Sequence, residues 1–284
     1  MVGLSPGLAK GAGRGNMVLM ESGAREVKAG FGAGALGAGL ARLGTMVLDQ
    51  LYPPCCAGCG VPLMGDDGLC ARCFVALRPI TAPYCPVLGL PFEVDLGAEA
   101  RSAEALADPP PFERARAAVQ YGEVAGTLVS RLKYGDRPEL ARLCARLMVG
   151  AGADFWADKP VLVPVPLHAS RLRFRRYNQS MLLAREIAHL AGLRVDPHLV
   201  RRKRRTRQQV GLSEDGRARN VQGAFEAHPQ LLERLRGSRV VLVDDVYTTG
   251  ATVKAATRAL RKAGVTQVDV LTFARVVIGQ DVTI

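Results

Sequence analysis

Short apolar runs alternate with segments of helical period through the C-terminal half of this 284-residue chain. Val161-Leu-Val-Pro-Val165, Val240-Val-Leu-Val243 and Val268 to Phe273 are strand-length runs, and Val240–Val243 has the continuous apolarity of a strand buried on both faces. Between them, Ser180 to Ala191 and Ala251 to Ala263 carry apolar residues at helical spacing. Such alternation predicts an α/β fold, a parallel sheet flanked by helices over residues 112–278, with its site at the carboxyl ends of the strands.

The N-terminal half has a different texture. Residues 1–45 are rich in Gly and Ala without durable periodicity, so we expect a disordered arm or an over-long start, with Met17, Met20 and Met46 as alternative starts. Leu40, Leu43, Val47, Leu48 and Leu51 follow helical spacing up to Pro53-Pro54, which closes a short helix. Residues 46–95 form a cysteine-bearing module. Residues 96–111 read as a linker ending in Pro109-Pro110-Pro111.

Composition narrows the partners. The net charge is +12, with 38 Lys and Arg against 26 Asp and Glu, which suits nucleotide, pyrophosphate, nucleic acid or an anionic membrane surface. Aromatic residues are 5%, so a nucleic-acid surface here would rely on Arg and Lys more than on stacking rings. The chain begins with no basic region followed by an apolar run and cleavage site, and no stretch is long and apolar enough to span a membrane. A cytoplasmic protein is expected.

Five of the seven cysteines, Cys55, Cys56, Cys59, Cys70 and Cys73, fall close together, which points to metal binding in a reducing compartment. Cys56-x2-Cys59 and Cys70-x2-Cys73 are two knuckles, with Gly58 and Gly60 allowing the tight turn. Four thiolates in a tetrahedron close the shell of a structural Zn²⁺, coupled to folding because so short a segment has little core. Cys55 is an alternative to Cys56 as ligand. Cys144 sits in a helical pattern with Leu140, Leu143 and Leu147 and reads as core, and the four histidines share no metal spacing.

The strongest chemical signal is Val240-Val-Leu-Val-Asp-Asp-Val-Tyr-Thr-Thr-Gly-Ala-Thr252. Two carboxylates, Asp244 and Asp245, end a buried strand before a turn that opens a helix. Thr248, Thr249, Gly250, Ala251 and Thr252 then offer hydroxyls and backbone N–H groups as a cradle for a monophosphate. The acids lie too near that phosphate to be its ligands. They suit acceptance of hydrogen bonds from ribose hydroxyls, with Mg²⁺ nearby. A strand merely capped by aspartates explains the acids but not three hydroxyls and a glycine.

Two basic segments accompany this loop. Val163-Pro-Val-Pro-Leu-His168 leads into Arg171, Arg175, Arg176, Asn178 and Gln179, which reads either as a strand end where paired guanidinium donors hold a pyrophosphate or as a solvated basic loop. Arg201-Arg-Lys-Arg-Arg-Thr-Arg207 with Gln209 reads as a loop or hairpin kept open by like charge. A lid over pyrophosphate, a nucleic-acid tether and a solvated hairpin are all open readings of it.

The Asp244–Thr252 segment resembles the phosphoribosyl-pyrophosphate (PRPP) signature of type I phosphoribosyltransferases, with Tyr247 where an aliphatic residue is usual. Together with Lys133-Tyr-Gly-Asp136, Arg176-Tyr-Asn-Gln179, Thr206-Arg-Gln-Gln209, Arg219-Asn220 and Gly223-Ala-Phe225, it makes the chain resemble the ComF family of competence-associated proteins over residues 45–278. The resemblance implies an N-terminal zinc ribbon fused to a type I phosphoribosyltransferase fold, PRPP as ligand, and handling of single-stranded DNA beside a helicase partner. Relatives often carry Arg-Gly-Phe-Asn-Gln where this chain has Arg175-Arg-Tyr-Asn-Gln179. They often have a third cysteine knuckle as well. Here Leu88 stands at the position of its second cysteine, so Cys85 reads as a small buried residue or spare thiol.

Overall fold

The computed structural model describes residues 54–63, 68–135, 137–204, 221, 223–228 and 238–277. The helix expected at Leu40–Leu51, and Arg207 and Gln209 of the basic run, lie outside these residues.

Strands β1 (Ala115–Gln120), β2 (Val161–Pro164), β3 (Arg194–Val195), β6 (Val240–Tyr247) and β7 (Val268–Arg275) form a parallel sheet in the order β1-β7-β6-β2-β3. Strands β4 (Val200–Arg202) and β5 (Phe225–Ala227) pair separately and antiparallel. Parallel neighbours need crossovers, and the helices α3 (Glu123–Tyr134), α4 (Leu140–Ala151), α6 (Gln179–Ala191) and α7 (Ala251–Lys262) supply them. Three short helices, α1 (Ala71–Val75), α2 (Ala103–Ala107) and α5 (Ala169–Arg175), accompany them.

The central strands are apolar on both faces because helices cover both. Val241, Val243, Leu271 and Phe273 join α4 and α6 in one core, while Val240, Leu242, Val268 and Val270 join α7 in another. Each core also takes in part of the N-terminal module. Cys56, Ala57, Cys73 and Leu77 pack into the first, and Cys85, Leu88 and Ala105 into the second.

Two differences from the sequence reading bear on the site. Strand β6 does not stop at Val243 but runs through both acids to Tyr247, because β7 continues beside it and pairs Asp244 with Thr272 and Tyr247 with Arg275. The stretch expected as a linker contains α2, whose N-cap is Ser102. Strand β1, the sheet edge next to the N-terminal module, is an Ala-rich run that carries no distinct strand signal.

Among the described residues no helix is long and apolar enough to cross a membrane.

Candidate functional site: an acid pair, a phosphate loop and a cysteine cluster

Strand β2 pairs with β6 only as far as Pro164 opposite Val243, so the two acids that follow open onto a cavity at the carboxyl ends of the strands. The first turn of α6 lies across them. Ser180 Oγ donates to Asp244 Oδ1 at 2.9 Å, and Gln179 Nε2 donates to Asp245 Oδ2 at 3.2 Å. Lys133, at the end of α3, places Nζ 2.8 Å from Asp245 Oδ2.

Asp244 carries the electrostatic strain of this arrangement. Burial and then the adjacent Asp245 charge push its carboxyl up from 3.8 to about 7, against the Asp245 backbone N–H, the Ser180 hydroxyl and the more distant Lys133 charge. Burial alone would lower the Lys133 ammonium, but Asp245 holds it above its ordinary value. The sign of the consequence follows from proton uptake. Between pH 3.8 and about 7 the native Asp244 holds a proton that the unfolded chain has released, so its contribution to stability falls as pH rises through that window. The thermal-stability gap between Asp244→Asn and wild type should therefore widen in favour of the variant from pH 6 to 7 and level off above, as melting curves at matched pH will read.

The loop beyond β6 turns on Gly250, whose φ of +72° is the left-handed conformation glycine adopts without penalty, and which N-caps α7. A Cβ there would overlap the Tyr247 ring beneath it. Thr249 Oγ1 is buried with no hydrogen-bond partner among the described residues, an orphan acceptor and donor beside the start of a helix. Thr248, Gly250, Ala251 and Thr252 line the cavity, which has a volume of about 250 Å³.

The opposite wall is basic. Arg171 and Arg175 of α5 and Arg202 of β4 line the same cavity as the acids and the loop. Burial and then the neighbouring Arg171 charge push the Arg202 guanidinium down to about 10. Arg175 donates to the Tyr134 hydroxyl at 2.8 Å and lies over its ring.

The other residues expected to hold pyrophosphate have different places. His168 N-caps α5, its Nδ1 accepting from the Ser170 N–H. Asn178 N-caps α6, accepting from Ser180 N and donating to the Val165 carbonyl. Gln179 is buried against Asp245 while also lining the cavity. Arg176 is exposed and outside the lining, and it adopts φ +65°, where its relatives' glycine is at ease. Arg176→Gly should accordingly raise stability by about 0.5–1 kcal/mol, measured by urea unfolding.

Sequence reasoning gave no role to Lys133 or Ser180. Lys133 stood in the Lys133-Tyr-Gly-Asp136 segment of the resemblance without a role, and Ser180 had no signal beyond opening a helix.

The cysteine cluster is separate from this cavity. The Sγ atoms of Cys56, Cys59, Cys70 and Cys73 lie within 4.8 Å of one another, and Cys59 Sγ to Cys70 Sγ is 3.7 Å, about the edge of a tetrahedron with 2.3 Å metal–sulfur bonds. The donor set and its spacing fit a structural zinc. Burial raises the Cys56 thiol, but backbone N–H groups of Cys59, Cys70 and Gly58 outweigh it and bring the group down to about 6. Burial, with the other thiols crowding it, drives Cys73 up to about 12. A Cβ on Gly58 would stand 2.7 Å from Cys73 Sγ, so the knuckle needs glycine there. Cys55 is exposed and outside the cluster.

A second knuckle repeats the first in backbone and not in chemistry. Cys56 N donates to Val61 O and Gly60 N to Cys56 O; in the same way Cys85 N donates to Leu90 O and Gly89 N to Cys85 O. Cys70 N donates to Cys56 Sγ, and Ser102 N donates to Cys85 Sγ. Leu88, Ser102 and Ala105 thus stand where the first ribbon has Cys59, Cys70 and Cys73. A single thiol does not fit a zinc shell, so no metal step is assigned to this half.

Comparison with known proteins agrees with this anatomy. A family model described as "Double zinc ribbon domain" matches residues 47–106, and one described as "Phosphoribosyl transferase domain" matches residues 130–281. The "DNA utilization protein YhgH" of Salmonella typhimurium is 33% identical over 78% of this chain and 97% of its own length. "Competence protein F" of Haemophilus influenzae is 30% identical over 75% of this chain and 92% of its own. "Competence protein ComFC" of Bacillus subtilis is 27% identical over 71% and 81%. With a double zinc ribbon joined to a phosphoribosyltransferase domain, and with relatives matching over most of their length, the chain belongs to the ComF family.

Proposed function

We propose that the cavity binds PRPP and that the protein is of phosphoribosyltransferase type, serving the uptake or use of DNA. One observation carries the reading: an acid pair, a phosphate loop and a wall of arginines face a single cavity of about 250 Å³. The 5-phosphate fits the loop's N–H groups and the Thr248 and Thr252 hydroxyls, while the buried Thr249 Oγ1 lies outside the cavity lining. The ribose hydroxyls donate to Asp244 and Asp245. The pyrophosphate faces Arg171, Arg175 and Arg202.

Hard carboxylate oxygens at the cavity suit a hydrated Mg²⁺, which would screen the pyrophosphate charge. In the reaction the bond from the ribose anomeric carbon to pyrophosphate breaks and a bond to a nitrogen nucleophile forms. Pyrophosphate leaves with the electron pair, and the nucleophile's proton passes to solvent. No side chain needs to attack, so positioning and charge stabilisation by these residues supply the rate.

PRPP with Mg²⁺ at about a hundred times its dissociation constant should raise the melting temperature of the zinc-loaded protein by roughly 5 °C or more. A folded protein whose melting point does not move with PRPP sinks the proposal.

A second reading takes the fold as a binder of single-stranded DNA without transfer chemistry. Arg201 of β4, exposed and paired with Glu226, and the arginines and lysine that follow it favour an electrostatic contact. Relatives named for DNA utilization and competence favour it as well. It requires DNA affinity that falls steeply with salt and is indifferent to Asp244 and Asp245.

A further inference from the structure

We infer that the metal-free second ribbon is a bracket that sets the shape of the phosphate loop, with Arg275 as the positioning residue that joins the two. The effect on ligand rests on the PRPP reading above; the effect on the loop does not.

The knuckle is fixed to the sheet first. Ala115 N donates to Val87 O at 2.7 Å, and Arg116 Nη1 donates to Pro86 O at 3.0 Å. A Cβ on Gly89 would lie 2.5 Å from the Ala115 carbonyl oxygen, so the knuckle touches β1 backbone to backbone. A closed zinc shell normally gives such a short segment its rigidity. Here the shell's place is filled by Cys85, Leu88 and Ala105, which share a buried cluster with Phe112, Tyr247 and Val253. The ribbon and the loop therefore have a common core.

Arg275 is the polar link across that core. Its side chain is 2% exposed, at the end of β7 beside Tyr247. Nη1 donates to the Leu88 carbonyl at 2.7 Å, Nη2 lies 3.4 Å from Glu104 Oε2 on α2, and the guanidinium carbon is 4.2 Å above the Tyr247 ring centre. A desolvated cation on an aromatic face is a strong contact, and it fixes the ring from one side. Phe112 meets the same ring edge-on at 6.5 Å. The ring in turn underlies Gly250, leaving no room for a Cβ. A second tie runs outside the core, where Asp108, just past α2, pairs at 2.8 Å with Lys254 in the first turn of α7.

The line from Leu88 O through Arg275 and Tyr247 to Gly250 thus connects a module with one sulfur to the residue on which the phosphate cradle turns. Tyr247 and the ribbon without a closed set of thiols belong to one device: with no metal shell to hold the ribbon, the ribbon and the loop hold each other.

The test uses the full-length zinc-loaded protein and two variants, Arg275→Met and Tyr247→Leu, with amide hydrogen exchange as the first readout. Both should accelerate exchange of residues 248–253 by about thirtyfold, the loss expected for a desolvated cation–π contact. Zinc content and exchange in β2 should stay as in wild type. Mg²⁺-dependent PRPP affinity should fall by a similar factor in the variants. Should Arg275→Met fail to fold, Tyr247→Leu still decides, since an aliphatic residue is usual at this position. Unchanged loop exchange in a folded variant, or acceleration spread evenly over the sheet, overturns the inference. Wild-type protein that ignores PRPP, with loop exchange still accelerated in the variants, defeats the ligand reading and leaves the bracket standing.

Discussion

Changing Asp244 and Asp245 together to Asn should weaken Mg²⁺-dependent PRPP binding by roughly a hundredfold to ten-thousandfold while leaving the protein folded. Each acid is expected to accept from one ribose hydroxyl, and hydrogen bonds to a charged acceptor contribute about 1.5–3 kcal/mol apiece. The fold survives because asparagine keeps the geometry the neighbours use. Its side-chain oxygen still accepts from Ser180 Oγ and from the Asp245 backbone N–H, and at the other position from Gln179 Nε2. What disappears is the charge that crowds Asp244 and the counter-charge of Lys133. In the apo variant, relief of the crowding at Asp244 is offset by loss of the Lys133 counter-charge, so its melting temperature should stay near that of wild type. Circular dichroism and melting curves separate this loss of binding from a loss of structure.

The second large effect concerns the cysteine cluster. Stripping zinc with a chelator, or Cys73→Ser, should lower the melting temperature by about 10 °C or more, on the scale of several kcal/mol expected when a structural zinc is lost. The reason is location. Cys56, Ala57, Cys73 and Leu77 are part of the core that also holds Leu128 and Leu132 of α3 and Leu140 of α4. The Ala57 carbonyl accepts a hydrogen bond from Arg131, two residues before Lys133. Metal loss should thus loosen α3 and, through Lys133, the partner of Asp245. Metal analysis should give one zinc per chain, since Leu88, Ser102 and Ala105 offer no thiolate. Two per chain would refute this account of the second ribbon.

Most of the architecture was legible where apolar periodicity is strong. Val240–Val243 and Val268–Phe273 read as strands because burial on two faces leaves a continuous apolar run. The extension of β6 through Asp244 and Asp245 was not legible, because it depends on β7 running alongside and on no property of the acids themselves. β1 escaped notice for a related reason: half of its residues are alanines, held as strand by pairing with β7 on one side and by backbone bonds to Ile80 and Val87 on the other. Helix α2 was lost in an Ala- and Glu-rich stretch whose meaning lies in Ser102 and Ala105 occupying metal-ligand positions, a comparison that needs the backbone.

The site divides the same way. The acids, hydroxyls and glycine from Asp244 to Thr252 are contiguous in sequence, so they can be read together. The residues that tune it, Lys133, Ser180 and Arg275, come from distant parts of the chain. Lys133 and Ser180 sit among other polar residues and Arg275 ends an apolar run, and none of these settings indicates a partner or purpose. Arg176 is instructive in the opposite sense. Its departure from the relatives' glycine was visible at once, but its position in the left-handed region and away from the cavity was not.

The most direct test is isothermal titration calorimetry of the zinc-loaded wild-type protein with PRPP, with and without Mg²⁺, beside the Asp244→Asn/Asp245→Asn variant. The account predicts saturable binding near one PRPP per chain that strengthens with Mg²⁺ and vanishes in the variant. Wild-type and variant proteins that bind PRPP alike, or a folded wild type that takes up none, would contradict it.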